Sequence, residues 1–210
     1  ENESIWLHME YKFMLELLRA GLVEEFYENF PNVLIPFLKP EQYGRSILEN
    51  SSFLVSSVHE DKSYHGQGFV ARLSGSTAEF LHMWLWMNVG KKPFGLDKGG
   101  NLVLTFNPIL QGELFTKTKT KVHYFTQETH LKEVDLPPNT YAFNFLNSTL
   151  VVYHNPNRRD TFGPKKATVD KIQLSYPSQQ PVVVSSTVLS SAYAQDVRDC
   201  KVNRIDIFLK

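Results

Sequence analysis

The chain has 210 residues, and its 22 Lys and Arg balance 22 Asp and Glu, so the formal net charge is zero. Neutrality without a basic block argues against a nucleic-acid-binding protein, which needs clustered cations to displace counterions. A hydrophobic fraction of 42% excludes extended disorder. No apolar run approaches the ~18 residues of a transmembrane helix, and a single cysteine excludes an internal disulfide.

The first half of the chain has the pattern of helices joined by an irregular segment. Apolar residues occupy nearly every face of 5–18, which is typical of a helix buried on several sides. A second helix is predicted at about 23–30. Pro, Gly and Ser residues then predict a long loop over 41–71. A third helix, again apolar on nearly all faces, is predicted to follow a Ser-Gly-Ser turn and to end at Gly90.

The second half changes to an alternating, β-rich pattern. Seven short strands without long helices between them predict an antiparallel sandwich. A short helix is predicted at 191–199. The predicted strands are 101–106, 122–126, 140–145, 149–154, 169–176, 182–187 and 202–209.

A hydroxyl-rich turn at the start of the third helix is the best local signal for chemistry. Ser74-Gly75-Ser76-Thr77 places free backbone N–H groups at the positive end of a helix, which suits an anion or phosphate. Ordinary N-capping by Ser74 or Ser76 is the commoner use of such residues. His8, in the first turns of the first helix, is suited to hold an anion, to act as an acid or base, or to be a hydrogen-bonded core residue.

Other candidate groups carry weaker signals. His59 and His65, with Glu60 and Asp61 nearby, fit no metal-ligand spacing, and we predict no metal site. The chain has no nucleophile elbow and no phosphate-binding glycine loop. Cys200 is interpreted as a buried small hydrophobic residue. Three Asn-x-Ser/Thr sequons, at Asn2, Asn50 and Asn147, do not establish secretion, so the sequence favours a cytoplasmic location and is compatible with secretion.

Three short segments, in this order, resemble one enzyme family. Glu1–His8 is similar to the Glu-Asn-Gly-Gly-Ile-Phe-x-His that opens an inner barrel helix, with Glu3 and Ser4 replacing the two glycines. Leu73–Ala78 is similar to Leu-Ser-Gly-Thr-Ala, and Asn88–Pro93 to Leu-Gly-Ile-Arg-Pro. The chain therefore resembles the C-terminal part of cellobiose phosphorylase-like enzymes, which are glycoside hydrolase family 94 and related inverting glycoside phosphorylases.

The resemblance implies a mixed α and β fold of two domains. Residues 1–95 would be the closing helices of an (α/α)6 catalytic barrel that is incomplete in this chain. Residues 96–210 would form an antiparallel, jelly-roll-like β-sandwich. Because the chain begins abruptly at an apolar helix, we expect the rest of the barrel in a preceding segment of the same protein.

The resemblance also implies binding residues and a reaction. Inorganic phosphate, the co-substrate, would attack the anomeric carbon of a β-glucoside with inversion while an Asp general acid protonates the glycosidic oxygen. That Asp belongs to a segment upstream of Glu1, so this chain alone is expected to be inactive and to hold no catalytic residue, cofactor or metal. The implied phosphate ligands are His8, Ser76, Gly75 and Ser57 (with Ser56 as an alternative to Ser57), and the implied substrate ligands are Glu1 and Asn2.

The implied partners are an oligo- or disaccharide, the preceding part of the same protein and a second copy in a homodimer, with no nucleic acid and no membrane. Two other functions remain open from the residues. A hydrolase or transglycosylase acting on β-glucans would use Glu1, Glu3 or Glu10 as the second carboxylate. A non-catalytic carbohydrate-binding sandwich with a helical adaptor is disfavoured by helices that are apolar on all faces.

Overall fold

A computed structural model describes residues 3–70, 75–126 and 130–210. Within these ranges the chain has five α-helices and thirteen β-strands in four sheets, so it is mainly β. The chain divides into two compact units, residues 1–85 (unit 1) and residues 86–210 (unit 2). None of the helices in the described ranges combines the length and the hydropathy needed to cross a bilayer.

The helices follow the sequence pattern closely. The first ends at Gly21, whose positive φ of 79° lets its N–H and that of Leu22 bond to the last-turn carbonyls. The second was predicted to end at residue 30 but continues through Pro31, which removes only one backbone donor. The helices are α1 (Leu7–Ala20), α2 (Val23–Val33), α3 (Pro40–Tyr43), α4 (Gly75–Asn88) and α5 (Ser191–Arg198).

All seven predicted strands and the predicted short helix at 191–199 are confirmed, although several ends differ by one to three residues. Five of the six additional strands in the described residues are two or three residues long, too short to produce an alternating pattern, whereas the six-residue strand at 131–136 was not predicted. The strands are β1 (Ile5–Trp6), β2 (Phe53–Leu54), β3 (Gly68–Phe69), β4 (Phe94–Leu96), β5 (Leu102–Thr105), β6 (Thr120–Phe125), β7 (Leu131–Leu136), β8 (Thr140–Phe145), β9 (Thr149–His154), β10 (Val169–Ser175), β11 (Val182–Val184), β12 (Val188–Leu189) and β13 (Arg204–Leu209).

The prediction that the first domain consists of closing helices of an (α/α)6 barrel is wrong. Between α2 and α4 the chain forms 3₁₀ turns, the four-residue α3 and the strands β2 and β3. Prolines at 36 and 40 and glycines at 44, 66 and 68 interrupt helical hydrogen bonding there. The described helices are therefore too few and too widely separated in the chain for the repeated helix pairs of such a barrel.

Helix α1 is also less buried than its apolar pattern predicted. Leu7, Tyr11 and Met14 follow the i, i+4, i+7 spacing of one face and are fully buried. Met9 and Phe13, on another face, are 56% and 51% exposed. In the described structure α1 is therefore an amphipathic helix with two additional apolar residues on its open face.

Unit 2 contains a five-stranded sheet in the order β11-β10-β13-β9-β8. The prediction of a purely antiparallel sandwich is wrong, because β13 pairs in parallel with β9. The long segment between these two strands allows the chain to return and run in the same direction. Two smaller sheets, β12-β5-β4 and β6-β7, complete the described part of the unit, and apolar side chains of β9 and β13 are among its fully buried residues.

Candidate functional site

The two principal phosphate ligands implied by the sequence occupy equivalent positions on two helices of the same length. His8 is the second residue of α1 and Ser76 the second residue of α4, and each helix has 14 residues. The first N–H groups of a helix lack intrahelical acceptors and lie at the positive end of its dipole. Both residues therefore lie where backbone groups stabilise an anion.

Residues 50–52 connect the starts of these two helices. The N–H of Leu7, at the start of α1, donates to the carbonyl of Ser52 over 3.0 Å. The side-chain amide of Asn50 donates to Ser76 Oγ over 3.2 Å. The structure thus brings the beginnings of α1 and α4, which are far apart in sequence, to opposite ends of one three-residue segment.

A buried tyrosine fixes this segment. The Tyr43 hydroxyl donates to the carbonyl of Glu49 over 2.7 Å and lies 2.6 Å from Ser51 Oγ. Burial raises the pKa of Tyr43, so its hydroxyl stays protonated. Gly68 of β3 packs on the same ring, and a Cβ at this position would lie 2.1 Å from a Tyr43 ring carbon. Only glycine permits this approach.

Ser76 and His8 have different surroundings. Ser76 is fully buried, and its hydroxyl accepts a hydrogen bond from the side-chain amide of Asn50. His8 is partly buried, with its ring centroid 5.9 Å from that of Trp6. Sequence reasoning noted Asn50 only as a sequon and missed its contact with Ser76, because no motif marks a contact between residues 26 positions apart.

An aromatic row crosses the small sheet β1-β2-β3 beside His8. Trp6 and Phe53 are cross-strand partners with ring centroids 5.0 Å apart in a T-shaped arrangement. Phe53 and Phe69 are the next pair, stacked at 5.2 Å. Trp6 remains 41% exposed. A row of aromatic side chains with an open end offers apolar faces for stacking against a flat ligand.

A cleft of about 450 Å³ lies at the Phe69 end of this row. This volume is in the range of ordinary small-molecule sites. The lining combines a carboxylate, hydroxyls, an imidazole, an amide and two aromatic rings, a set that both stacks on and hydrogen-bonds to a polyhydroxylated molecule. The lining residues are Glu3, Ser4, Val55, Ser56, His59, Tyr64, Gln67, Gly68 and Phe69.

The wall of the cleft formed by 55–67 is held by hydrogen bonds within the segment. The N–H of Val55 donates to the Gln67 carbonyl over 2.9 Å, and that of Gly66 donates to the Val55 carbonyl over 2.8 Å. The Nε2 of His65 lies 2.8 Å from the carbonyl of His59, so His65 is engaged with the backbone. Hydrogen bonds from Ser63 hold the pKa of Asp61 below its usual range. No cluster that could hold a metal ion occurs among the described His, Cys, Asp and Glu residues.

The remaining residues implied by the resemblance fall in several places. Ser57 is exposed, whereas Ser56 lines the cleft and donates a hydrogen bond to the Glu3 carbonyl. Gly75 is the first residue of α4. Glu1, Asn2 and Ser74 lie outside the described residues. The structure therefore brings Ser56, rather than Ser57, to the cleft.

Glu10 and Cys200 do not line this cleft. Glu10, in the first turn of α1, has its pKa raised by burial, which favours the protonated carboxylic acid. Cys200 is partly exposed at a positive φ of 60° just after α5, so the prediction that it is buried is wrong.

No model of a known protein family matches the chain, and no curated protein matches it significantly.

Proposed function

We propose that this chain forms the phosphate- and sugar-binding part of an enzyme that cleaves a β-glucoside with inorganic phosphate, giving a sugar 1-phosphate. The observation that carries the proposal is the convergence of the α1 and α4 N-termini on residues 50–52, beside an aromatic cleft. The proposal does not require an (α/α)6 barrel.

The N-termini of α1 and α4 provide the groups that would bind phosphate. Backbone N–H groups and two helix dipoles offset the negative charge, and the imidazole N–H of His8 donates an additional hydrogen bond. Asn50 and Ser76 supply an amide and a hydroxyl at the same place. Phosphate held in this way is already a nucleophile, so phosphorolysis needs no second carboxylate to activate water.

The aromatic cleft provides the groups that would bind the sugar. Tyr64 and Phe69 provide ring faces, and Glu3, Ser56 and Gln67 provide groups that hydrogen-bond to hydroxyls. In the reaction, the bond between the anomeric carbon and the glycosidic oxygen breaks as a phosphate oxygen forms a bond to that carbon. A general acid gives its proton to the departing oxygen.

Binding of inorganic phosphate, followed by titration calorimetry, tests the proposal without requiring turnover. We expect His8→Ala and Ser76→Ala each to weaken phosphate binding about tenfold, which corresponds to one charge-assisted hydrogen bond. His82→Ala, an exposed histidine on α4, is the matched control and should leave the affinity unchanged. Equal affinities for all of these proteins would contradict the proposed phosphate site.

One alternative is a hydrolase using the same cleft. Of the candidate second carboxylates, Glu3 lines the cleft and would activate water there. Turnover of a β-glucoside that is independent of phosphate and is lost in Glu3→Gln would establish the hydrolase. Turnover that requires phosphate and releases a sugar 1-phosphate would establish the phosphorylase.

A further inference from the structure

Unit 2 contains a second cleft, and all of its lining residues belong to this unit. Its volume is about 490 Å³, which is in the range of sites for small ligands. It lies where the segment after α4, the end of β5 and the segment before β10 come together. Residues 89–92, 105–108 and 166–169 form most of its lining.

The charged residues that line this cleft are all positively charged. Lys91, Lys92 and Lys166 line it, and none of the described residues in its lining is an aspartate or glutamate. Lys91 Nζ lies 5.1 Å from the centroid of the Trp86 ring, which orients that ammonium group. Lys92 and Lys166 form no ion pair with any carboxylate that the structure describes. Three ammonium groups at one concavity, within a chain of zero net charge, create a local positive potential.

The walls of the cleft are held in place by backbone hydrogen bonds. The N–H of Asn107 donates to the Val89 carbonyl over 2.8 Å, and Thr168 exchanges two hydrogen bonds with Lys210. Gly90 has a φ of 112°, and a Cβ there would lie 3.0 Å from the Asn107 carbonyl oxygen. The close approach of these two segments therefore depends on glycine, and the cleft is part of the folded architecture.

The lining also contains neutral hydrogen-bonding residues. Thr105, Thr168 and Thr187 contribute hydroxyl-bearing side chains and Asn107 an amide. Lysines alone would suit any small anion. Lysines together with hydroxyl and amide groups, in a cleft this large, suit an anion that carries several hydroxyl groups of its own.

We propose that this cleft binds a saccharide bearing an anionic group, either a phosphate ester or a carboxylate. The ammonium groups of Lys92 and Lys166 contact the anionic group, and the threonine and asparagine side chains contact the sugar hydroxyls. The site lies wholly within unit 2 and is independent of the function proposed for unit 1.

The test is titration calorimetry with three probes, namely glucose 6-phosphate, glucuronate and uncharged glucose. We expect the chain to bind at least one anionic probe at least tenfold more tightly than glucose, with an affinity that falls as salt is added. The double variant Lys92→Gln/Lys166→Gln should lose about tenfold or more in affinity. Lys98→Gln/Lys165→Gln, which removes two exposed lysines that do not line the cleft, should bind as the unmodified chain does.

The pattern across the probes identifies the anionic group. Binding of glucose 6-phosphate alone assigns a phosphate ester, and binding of glucuronate alone assigns a carboxylate. Equal affinity for glucose, an unchanged affinity in the Lys92→Gln/Lys166→Gln variant, or no binding of either anion at millimolar concentration would overturn the proposal. The same titrations in His8→Ala separate the two sites, because loss of the phosphate site in unit 1 should leave the unit 2 affinity unchanged.

Discussion

The two compact units differ in the length of their longest strands. In unit 2, Val151 and Tyr153 of β9 and Ile205 and Ile207 of β13 are completely buried in the middle of a five-stranded sheet. In unit 1, the strands have two residues each, and large apolar residues of β1 and α1 stay about half exposed. Long central strands support a closed core, whereas short strands leave aromatic faces open to ligands. Unit 2 is therefore the better place to test packing, and unit 1 the better place to test binding.

Removal of a core side chain from unit 2 should have the largest effect. Leu174 of β10 is fully buried, and Leu174→Ala should lower the free energy of unfolding by about 2–5 kcal/mol, because transfer and cavity costs add. Urea denaturation followed by circular dichroism measures the change. Val183→Ala on the neighbouring strand β11, where Val183 is 56% exposed, should change it by about 0.5 kcal/mol or less. Similar losses for both variants would contradict the description of a closed core.

Removal of a buried charge from the five-stranded sheet should have the next largest effect on the free energy of unfolding. Asp206 lies 2.7 Å from His154 Nε2 and accepts a hydrogen bond from Arg204 Nε over 2.8 Å. Burial by itself would raise the pKa of Asp206, but these hydrogen bonds hold it below its usual range. Asp206→Asn should therefore cost about 1.5–3 kcal/mol at neutral pH.

The pH dependence of this cost follows from the sign of the shift. A carboxylate whose pKa is depressed by folding stabilises the native state above its unfolded pKa, about 3.9, and this contribution is lost as pH falls through the folded pKa. The difference in the free energy of unfolding between Asp206→Asn and the unmodified chain should therefore be largest at pH 7 and should decrease below about pH 4. Asp170→Asn, an exposed carboxylate paired with Lys210, is the control with a much smaller expected effect. A difference that is constant with pH would count against the proposed charge interaction.

Substitution of a glycine in unit 1 tests how tightly the wall of its cleft is packed. Gly68→Ala places a Cβ against the Tyr43 ring and should cost about 1–3 kcal/mol through overpacking. Thermal unfolding measures the loss. Gly95→Ala in β4 is the matched control, because the nearest atom to its Cβ would be 3.9 Å away. Equal melting temperatures for the two variants would contradict the close packing of β3 on Tyr43.

The smallest effect on stability is expected for substitution of a side chain that lines the unit 1 cleft. Tyr64 is 48% exposed, so Tyr64→Ala should change stability little. Loss of its ring face should weaken binding of a β-glucoside about threefold to tenfold. Tyr64→Phe keeps the ring and should retain most of the affinity, as measured by calorimetry. An affinity that is the same in all three proteins would remove Tyr64 from the proposed sugar site.

Local patterns predicted the elements of the fold better than their arrangement. The strands at 140–145 and 149–154 match β8 and β9 because alternating and β-branched residues specify both the strand and its faces. The strands β1, β2 and β3 were missed because two residues form no period. The parallel pairing of β9 with β13 was missed because antiparallel hairpins are the simplest connection between short strands, and no local pattern shows a return over a long segment.

The same division applies to the candidate sites. A hydroxyl-rich turn and a helix-opening histidine were visible as residue types, so His8 and Ser76 could be predicted as anion ligands. Neither Asn50 as a partner of Ser76 nor the lysine cleft of unit 2 could be predicted, because each depends on residues that are distant in sequence. No local motif marks Lys92 or Lys166 as a ligand-binding residue, and only the fold brings them to the same cleft.

The amino-acid sequence by itself determined that the chain is folded and neutral, where most of its longer helices and strands lie, and which residue types mark two helix starts. Those properties follow from composition and from interactions between near neighbours. The tertiary structure alone decided that the helices are not part of a barrel, that the main sheet is mixed, and that polar side chains far apart in sequence line two clefts. The physical reason is that strand pairing and cleft formation depend on contacts between distant segments, which local propensity does not encode.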